Sequence, residues 1–229
     1  MKERGILFTA DMVRAILEGR KTQTRRIMKQ QPHSPPFKIS CSEWETSQGQ
    51  FTCPYGIVGD RLWVRETWRG VCSGEIEGGE GALRYGIQYR ADNFIRWNER
   101  ETVMSGGWKD TDKPMQFRDP PWKPGIHLRK GDSRITLEIT NVRVQRVQEI
   151  SREDVNAEGT PGMIGGKYQC DRCNGNGRNH TWPDGCPHCE PKGSGLNHTR
   201  HYWALWQSIN GPGSWEKNPW VWAITFKKV

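Results

Sequence analysis

The sequence predicts an α+β fold, a small mixed β-barrel with a few short helices and long loop insertions. Three observations carry this. Alternating apolar and polar residues, clearest in "SRITLEITNVRVQRVQEI", give strands; capping signals frame only short helices; and the Gly-, Pro- and Ser-rich stretches between them lack periodicity. At 229 residues the chain can bury one good core, so residues 1–229 are taken as one domain.

The elements follow in order. Ile6 to Phe8 reads as a short strand, and Thr9 or Asp11 can cap the helix in which Met12, Ala15 and Ile16 repeat at helical spacing. Gly19 is a good stop for that helix. "GRKTQTRR", Gly19 to Arg26, then continues as an extended basic segment. Residues 28–54 form a first insertion, rich in Gln, Pro and Ser. "GDRLWVRETW" opens on a Gly-Asp turn and alternates Leu62 and Val64 against Arg61 and Arg65, a half-buried strand. Glu66, directly after it, is expected to be a salt-bridged edge residue.

A second insertion spans 70–131, with a strand at "LRYGIQYRAD" and a tail too Pro-dense for regular structure. Next, Ile135, Leu137 and Ile139 occupy one strand face and Thr136, Glu138 and Thr140 the other, before a second strand through Val142 and Val144. Ser151 and Asp154 make a capping box, so "SREDVNAEG" is a short helix stopped by Gly159. A third insertion covers 160–200. A helix around "HYWALWQSI", a Gly/Pro turn and a strand "WVWAITF" close the chain.

The charge of +8 and pI near 9.2 favour a polyanionic partner. Twelve Trp in a chain of mean hydropathy −0.85 can build a core or stack on bases. The apolar run Ile6 to Ala10 is short and Asp11 ends it, which is unlike a secretory signal. No stretch approaches the ~18 apolar residues a membrane span requires. A cytoplasmic location with no membrane partner is therefore expected. A reducing compartment makes metal binding the better use of the seven Cys.

One metal motif has strong spacing. Cys170-x-x-Cys173 and Cys186-x-x-Cys189 can set four thiolates tetrahedrally around zinc, with Gly175, Gly177 and Gly185 supplying turns. Four Cys leave no open coordination position, so the predicted zinc knuckle, 170–189, is structural. His180 and His188 are expected at the surface, and Cys41, Cys53 and Cys72 have no ligand spacing.

The order of these segments resembles the ASCH domain family, a branch of the PUA-like β-barrels, and within it the large ASCH proteins of bacteriophages and prophages. The resemblance rests on a Gly-x-Lys-x-x-x-x-Arg signature at Gly19, Lys21 and Arg26, supported by "GDRLWVRE", "RITLEITNVRVQRVQEIS" and "NPWVWAITFKK". It implies a PUA-like barrel interrupted by the three insertions. Small ASCH enzymes are amidohydrolases that deacetylate 4-acetylcytidine, and their site carries over to Lys21, Thr24 and Glu158.

In that reading Lys21 is the base, Thr24 the nucleophile, and Glu158 orients the lysine or shuttles a proton. In a regular strand Lys21 and Thr24 would face opposite sides, so the chain must turn or bulge just after Gly19. Arg26 suits a phosphate or a structural carboxylate, and Arg20 and Arg25 are expected as phosphate or solvent contacts. The resemblance also leaves open a non-catalytic reader of nucleic acid, RNA rather than DNA, and a ribonuclease.

Overall fold

The computed structural model describes residues 1–40, 43–77, 80–104, 120–159, 163–164, 167–168 and 197–229. In chain order the elements are β1 (Glu3–Leu7), α1 (Ala10–Leu17), β2 (Gln23–Ile27), β3 (Phe37–Lys38), β4 (Glu43–Thr46), β5 (Gly49–Thr52), β6 (Arg61–Arg65), β7 (Trp68–Glu77), β8 (Glu80–Tyr89) and β9 (Ile95–Met104). Then come β10 (Thr136–Arg146), α2 (Arg152–Ala157), β11 (Met163–Ile164), β12 (Lys167–Tyr168), α3 (Asn197–Asn210) and β13 (Trp220–Lys228). The architecture is mixed and dominated by sheet. No described helix is long and apolar enough to cross a membrane.

Residues 1–229, expected as one domain, fall into two compact units. The first comprises Met1–Arg4, Ala15–Leu62 and Thr136–Val229, and the second Gly5–Arg14 and Trp63–Ile135. One five-stranded sheet has the order β1-β6-β10-β13-β2.

In the first unit β13 is central, antiparallel to both β10 and β2. Its run Trp220 to Ile224 is buried throughout, which is why "WVWAITF" is continuously apolar rather than alternating. The stretch expected as two strands is the single strand β10. Leu137 and Ile139 are buried, the register shifts between Ile139 and Asn141, and burial resumes at Val142. That bulge resets the alternation and keeps both halves facing the core. Val147, Ile150, Val155, Tyr202, Trp206 and Val221 form one apolar cluster, packing α2 and α3 beside the sheet.

The Gly-Asp turn holds: Gly59 takes φ +88°, and buried Asp60 accepts from the backbone N–H of Lys2 at 2.6 Å and of Ile57 at 3.3 Å. The first insertion needs correction. Residues 28–54 carry the antiparallel sheet β3-β4-β5 rather than a plain loop. Trp44 and Thr46 are buried, and Trp44 meets Trp222 edge-on at 4.9 Å.

The second unit holds the antiparallel meander β7-β8-β9, so the described part of the second insertion contains three strands. Glu66 is almost fully buried and takes a bidentate pair of bonds from Arg134, both at 2.9 Å. Arg134 also binds Asp92 and lies over the rings of Tyr89 and Phe94 at 4.3 and 5.4 Å. Every polar edge of that arginine points at a carboxylate; Glu66 is salt-bridged as expected, but in the interior rather than at an exposed edge.

Helix α2 begins at Ser151, whose side chain accepts from the Asp154 N–H at 3.2 Å, and it ends at Gly159 with φ +67°. A Cβ at Gly159 would lie 2.7 Å from Lys21 Cβ and 3.0 Å from Ala15 Cβ. Positive φ and a filled neighbourhood both demand glycine here. Gly159→Ala should therefore cost about 2 kcal/mol or more of stability in denaturant melts, and an unshifted midpoint would refute this close packing.

Candidate functional site

Three chain segments hold the basic motif in place. The Lys21 N–H donates to the Ala15 carbonyl near the end of α1 at 2.9 Å, and the Thr22 N–H to Ala157 at the end of α2 at 2.8 Å. The Thr22 carbonyl accepts from Phe226 of β13 at 2.8 Å. Lys21 also bridges to Glu158 in antiparallel fashion before β2 begins. The bonds to Ala157, Glu158 and Phe226 bring together residues more than a hundred positions apart, and the bond to Ala15 ties the motif to α1.

Lys21 and Glu158 are thereby joined. Lys21 Nζ donates to Glu158 Oε2 at 2.9 Å, to the Glu158 carbonyl at 2.9 Å and to the Gln23 carbonyl at 2.7 Å. The lysine side chain is 0% exposed and the glutamate side chain 4%. Burial pushes the Lys21 ammonium below its usual 10.5. The charge and hydrogen bond of Glu158 only partly offset this, and the positive charges of Arg26 and Arg25 add to the lowering.

Arg25 corrects an expectation. Its side chain is 0% exposed rather than facing solvent. Nη1 donates to Glu158 Oε1 at 3.0 Å and Gln23 Oε1 at 2.5 Å, and Nη2 donates to Asp154 Oδ2 at 2.6 Å. The guanidinium also stands 5.8 Å from the centre of the Tyr202 ring. The physical reason is charge balance: the buried carboxylate of Glu158 and the partly buried one of Asp154 draw a second cation beside Lys21.

Asp154 departs from its expected role as well. Its N–H is capped by Ser151, but its carboxylate receives Arg25, Arg143 and Gln23 instead of returning to the helix start. Burial alone would raise its pKa. The Arg25 charge and the bonds from Arg143 and Gln23 outweigh burial and hold it below 3.8. The Tyr202 phenol is pushed well above its usual range, first by burial and then by the charge of Glu158.

Thr24 is buried in β2, opposite Ile224 of β13. Gln23 and Arg25 bond to each other and share one face of β2, so alternation puts Thr24 and Arg26 on the other. Arg26 sits opposite Trp222, and burial lowers its pKa, while Tyr55, Glu158 and Tyr202 oppose that shift. Arg20 stays at the surface, donating to Glu18 at 2.7 Å and to the Gly159 carbonyl at 3.3 Å.

Cys170, Cys173, Cys186 and Cys189, like His180 and His188, lie outside the described residues. Among the described residues no group of three or more His, Cys, Asp or Glu is arranged to hold a metal ion. Cys53 is buried, with its thiol pushed up to about 11 chiefly by that burial, so at neutral pH it stays protonated.

The residues sequence reasoning missed are Gln23, Asp154 and Tyr202. The i, i+2 spacing of Lys21, Gln23 and Arg25 was the available signal for the first. No family model, curated protein or solved structure matches the chain. Chemically, the cluster offers a desolvated amine held by a carboxylate whose two oxygens are both engaged by cations.

Because the Asp154 carboxyl titrates lower in the folded chain than its reference 3.8, its stabilisation is complete above that value and is lost as pH falls through the folded pKa. Wild-type denaturation midpoints should thus drop below about pH 4. Asp154→Asn should lose about 2 kcal/mol at neutral pH and show a shallower acid decline. An unchanged acid profile would remove Asp154 from the account.

Proposed function

We propose that the chain is an ASCH-type protein on a PUA-like barrel scaffold that hydrolyses the acyl amide of a 4-acetylcytidine-like nucleoside. One observation carries the proposal. The resemblance names Lys21 and Glu158, 137 residues apart, and their side chains pair in a buried setting that lowers the lysine's pKa. A lysine amine becomes a usable base when desolvation makes its neutral form accessible.

The reaction runs in two balanced halves. Thr24 alternates with Arg25 on β2 and so lies on the face away from the Lys21–Glu158–Arg25 cluster. The reading therefore requires neutral Lys21 to take the Thr24 hydroxyl proton through a bridging water as that oxygen attacks the acyl carbonyl. The carbon–nitrogen bond then breaks, and the lysine ammonium returns the proton to the departing exocyclic amine. Water cleaves the acyl-threonine ester with Lys21 again as base, releasing acetate and restoring the hydroxyl. Glu158 serves by orienting Lys21, because Arg25 holds its other oxygen. The four Cys of residues 170–189 are proposed as a structural zinc site, which suits a reducing cytoplasm.

A second reading, RNA binding without chemistry, has its own observation. In the second unit Arg65 lies over Trp63 at 4.6 Å, Arg69 over Trp122 at 4.6 Å and Lys123 near Trp68 at 5.0 Å. Paired cations and indoles at a half-exposed surface suit phosphates and stacked bases.

One set of preparations separates the readings. Lys21→Ala and Thr24→Ala should each reduce acetate release from 4-acetylcytidine at least ~100-fold. Unchanged turnover in either variant would overturn the hydrolytic reading. RNA binding that weakens steeply with salt, in a wild-type chain releasing no acetate, would favour the second. The same samples should carry one zinc per chain, and a metal-free sample would overturn the knuckle.

A further inference from the structure

The hydrolytic reading gives Asp154 no task, yet its carboxylate gathers side chains from two strands, β2 and β10. Oδ1 accepts from Gln23 Nε2 at 3.0 Å and from Arg143 Nη2 at 2.9 Å. Oδ2 accepts from Arg25 Nη2 at 2.6 Å and again from Arg143 Nη2 at 2.9 Å. Capping of α2 does not account for this, because Ser151 supplies the cap. The Asp154 side chain is 13% exposed and that of Arg143 42%, so the polar cluster runs from the buried lysine out to the surface.

Two routes lead from this carboxylate to Lys21. One passes through Arg25, whose Nη2 holds Asp154 while its Nη1 holds Glu158 Oε1 at 3.0 Å. The other oxygen of Glu158, Oε2, accepts from Lys21 Nζ at 2.9 Å. The second route passes through Gln23. Its Nε2 donates to Asp154, its Oε1 accepts from Arg25 at 2.5 Å, and its carbonyl accepts from Lys21 Nζ at 2.7 Å. Gln23 Nε2 also meets Thr225 Oγ1 at 3.2 Å, which anchors it to β13. Both the Glu158 carboxylate and the Gln23 carbonyl that receive the lysine ammonium are thus tied to groups that Asp154 holds.

We infer that Asp154 is a positioning residue for Lys21: it holds Arg25 and Gln23 so that Glu158 keeps one oxygen for the lysine, and it thereby sets the pH at which that amine gives up its proton. The surrounding charges decide the direction. Around Lys21 stand Glu158 from the end of α2 and Arg25 and Arg26 from β2. Around Asp154 stand Arg25 from β2 and Arg143 from β10, with Arg152 and Glu153 exposed beside it on α2. Tyr202 of α3 lies against Arg25 as a neutral phenol. Without the Asp154 charge, Arg25 is balanced by Glu158 alone, and the lysine ammonium loses part of its counter-charge. Its midpoint then falls. Removing the Arg143 cation acts in the opposite sense. Mere loosening of the cluster would admit water and return the lysine toward its usual 10.5, so the sign separates positioning from packing. The consequence for turnover rests on the hydrolytic reading; the effect on the amine does not.

NMR titration of the Lys21 side-chain signals in wild type, Asp154→Asn, Asp154→Glu, Arg143→Gln and Arg143→Lys tests it. Asp154→Asn should lower the midpoint by at least ~0.5 pH unit, and Asp154→Glu, which keeps the charge, should recover about half of that fall or more. Arg143→Gln changes a partly exposed residue, so it carries the test if Asp154→Asn does not fold. It should raise the midpoint by about 0.3 pH unit, while Arg143→Lys matches wild type. Where the wild type releases acetate, the acid limb of kcat/KM should move down with the midpoint in Asp154→Asn while KM holds. A wild type that releases none would overturn the hydrolytic reading and leave the Lys21 midpoints to decide this one. An Asp154→Asn midpoint that stays or rises, or an Arg143→Gln midpoint that does not move, would overturn the inference.

Discussion

The buried pair between Lys21 and Glu158 is the constraint around which the first unit is arranged. A lone charge in that interior would be costly, and removing one partner of such a pair typically costs about 3–5 kcal/mol. Arg25 completes the arrangement by taking the second oxygen of Glu158 while also reaching Asp154. The pairing then follows from position: α2 ends at Glu158, Gly159 leaves room for Lys21, and β2 begins two residues later.

This cluster couples secondary structure to chemistry. Ser151 caps α2 by itself, which frees the Asp154 carboxylate to bind Arg25 and Arg143. Tyr202, on α3, stands with its ring beside Arg25 and packs into the apolar cluster with Val155 and Trp206. The polar cluster and the apolar core therefore share a wall, so a change in either is felt by the other. The carboxylate of Glu158 is held at both oxygens, which suits a positioning role better than proton transfer.

Much of the scaffold was legible in the sequence because its signals are local. The Ser151 cap, the Gly159 stop, the apolar run of β13 and the alternation of Leu62 with Val64 each depend on neighbours a few residues away. Residues 37–52 escaped because each strand has only two to four residues, too few for a period to stand out. Arg25 was misjudged for a different reason. Its partners Asp154 and Glu158 are 129 and 133 residues distant, and no local rule reports such a pairing. Asp154 looked complete as a helix cap, which hid its larger role.

The central claim is that burial, more than its partner, governs Lys21. An NMR titration of the lysine side-chain signals, with Lys21 assigned through Lys21→Met, measures this directly. The account predicts a Lys21 midpoint below the usual 10.5. A midpoint at or above that value would mean that Glu158 dominates, leaving a permanently charged structural lysine with no capacity to act as a base.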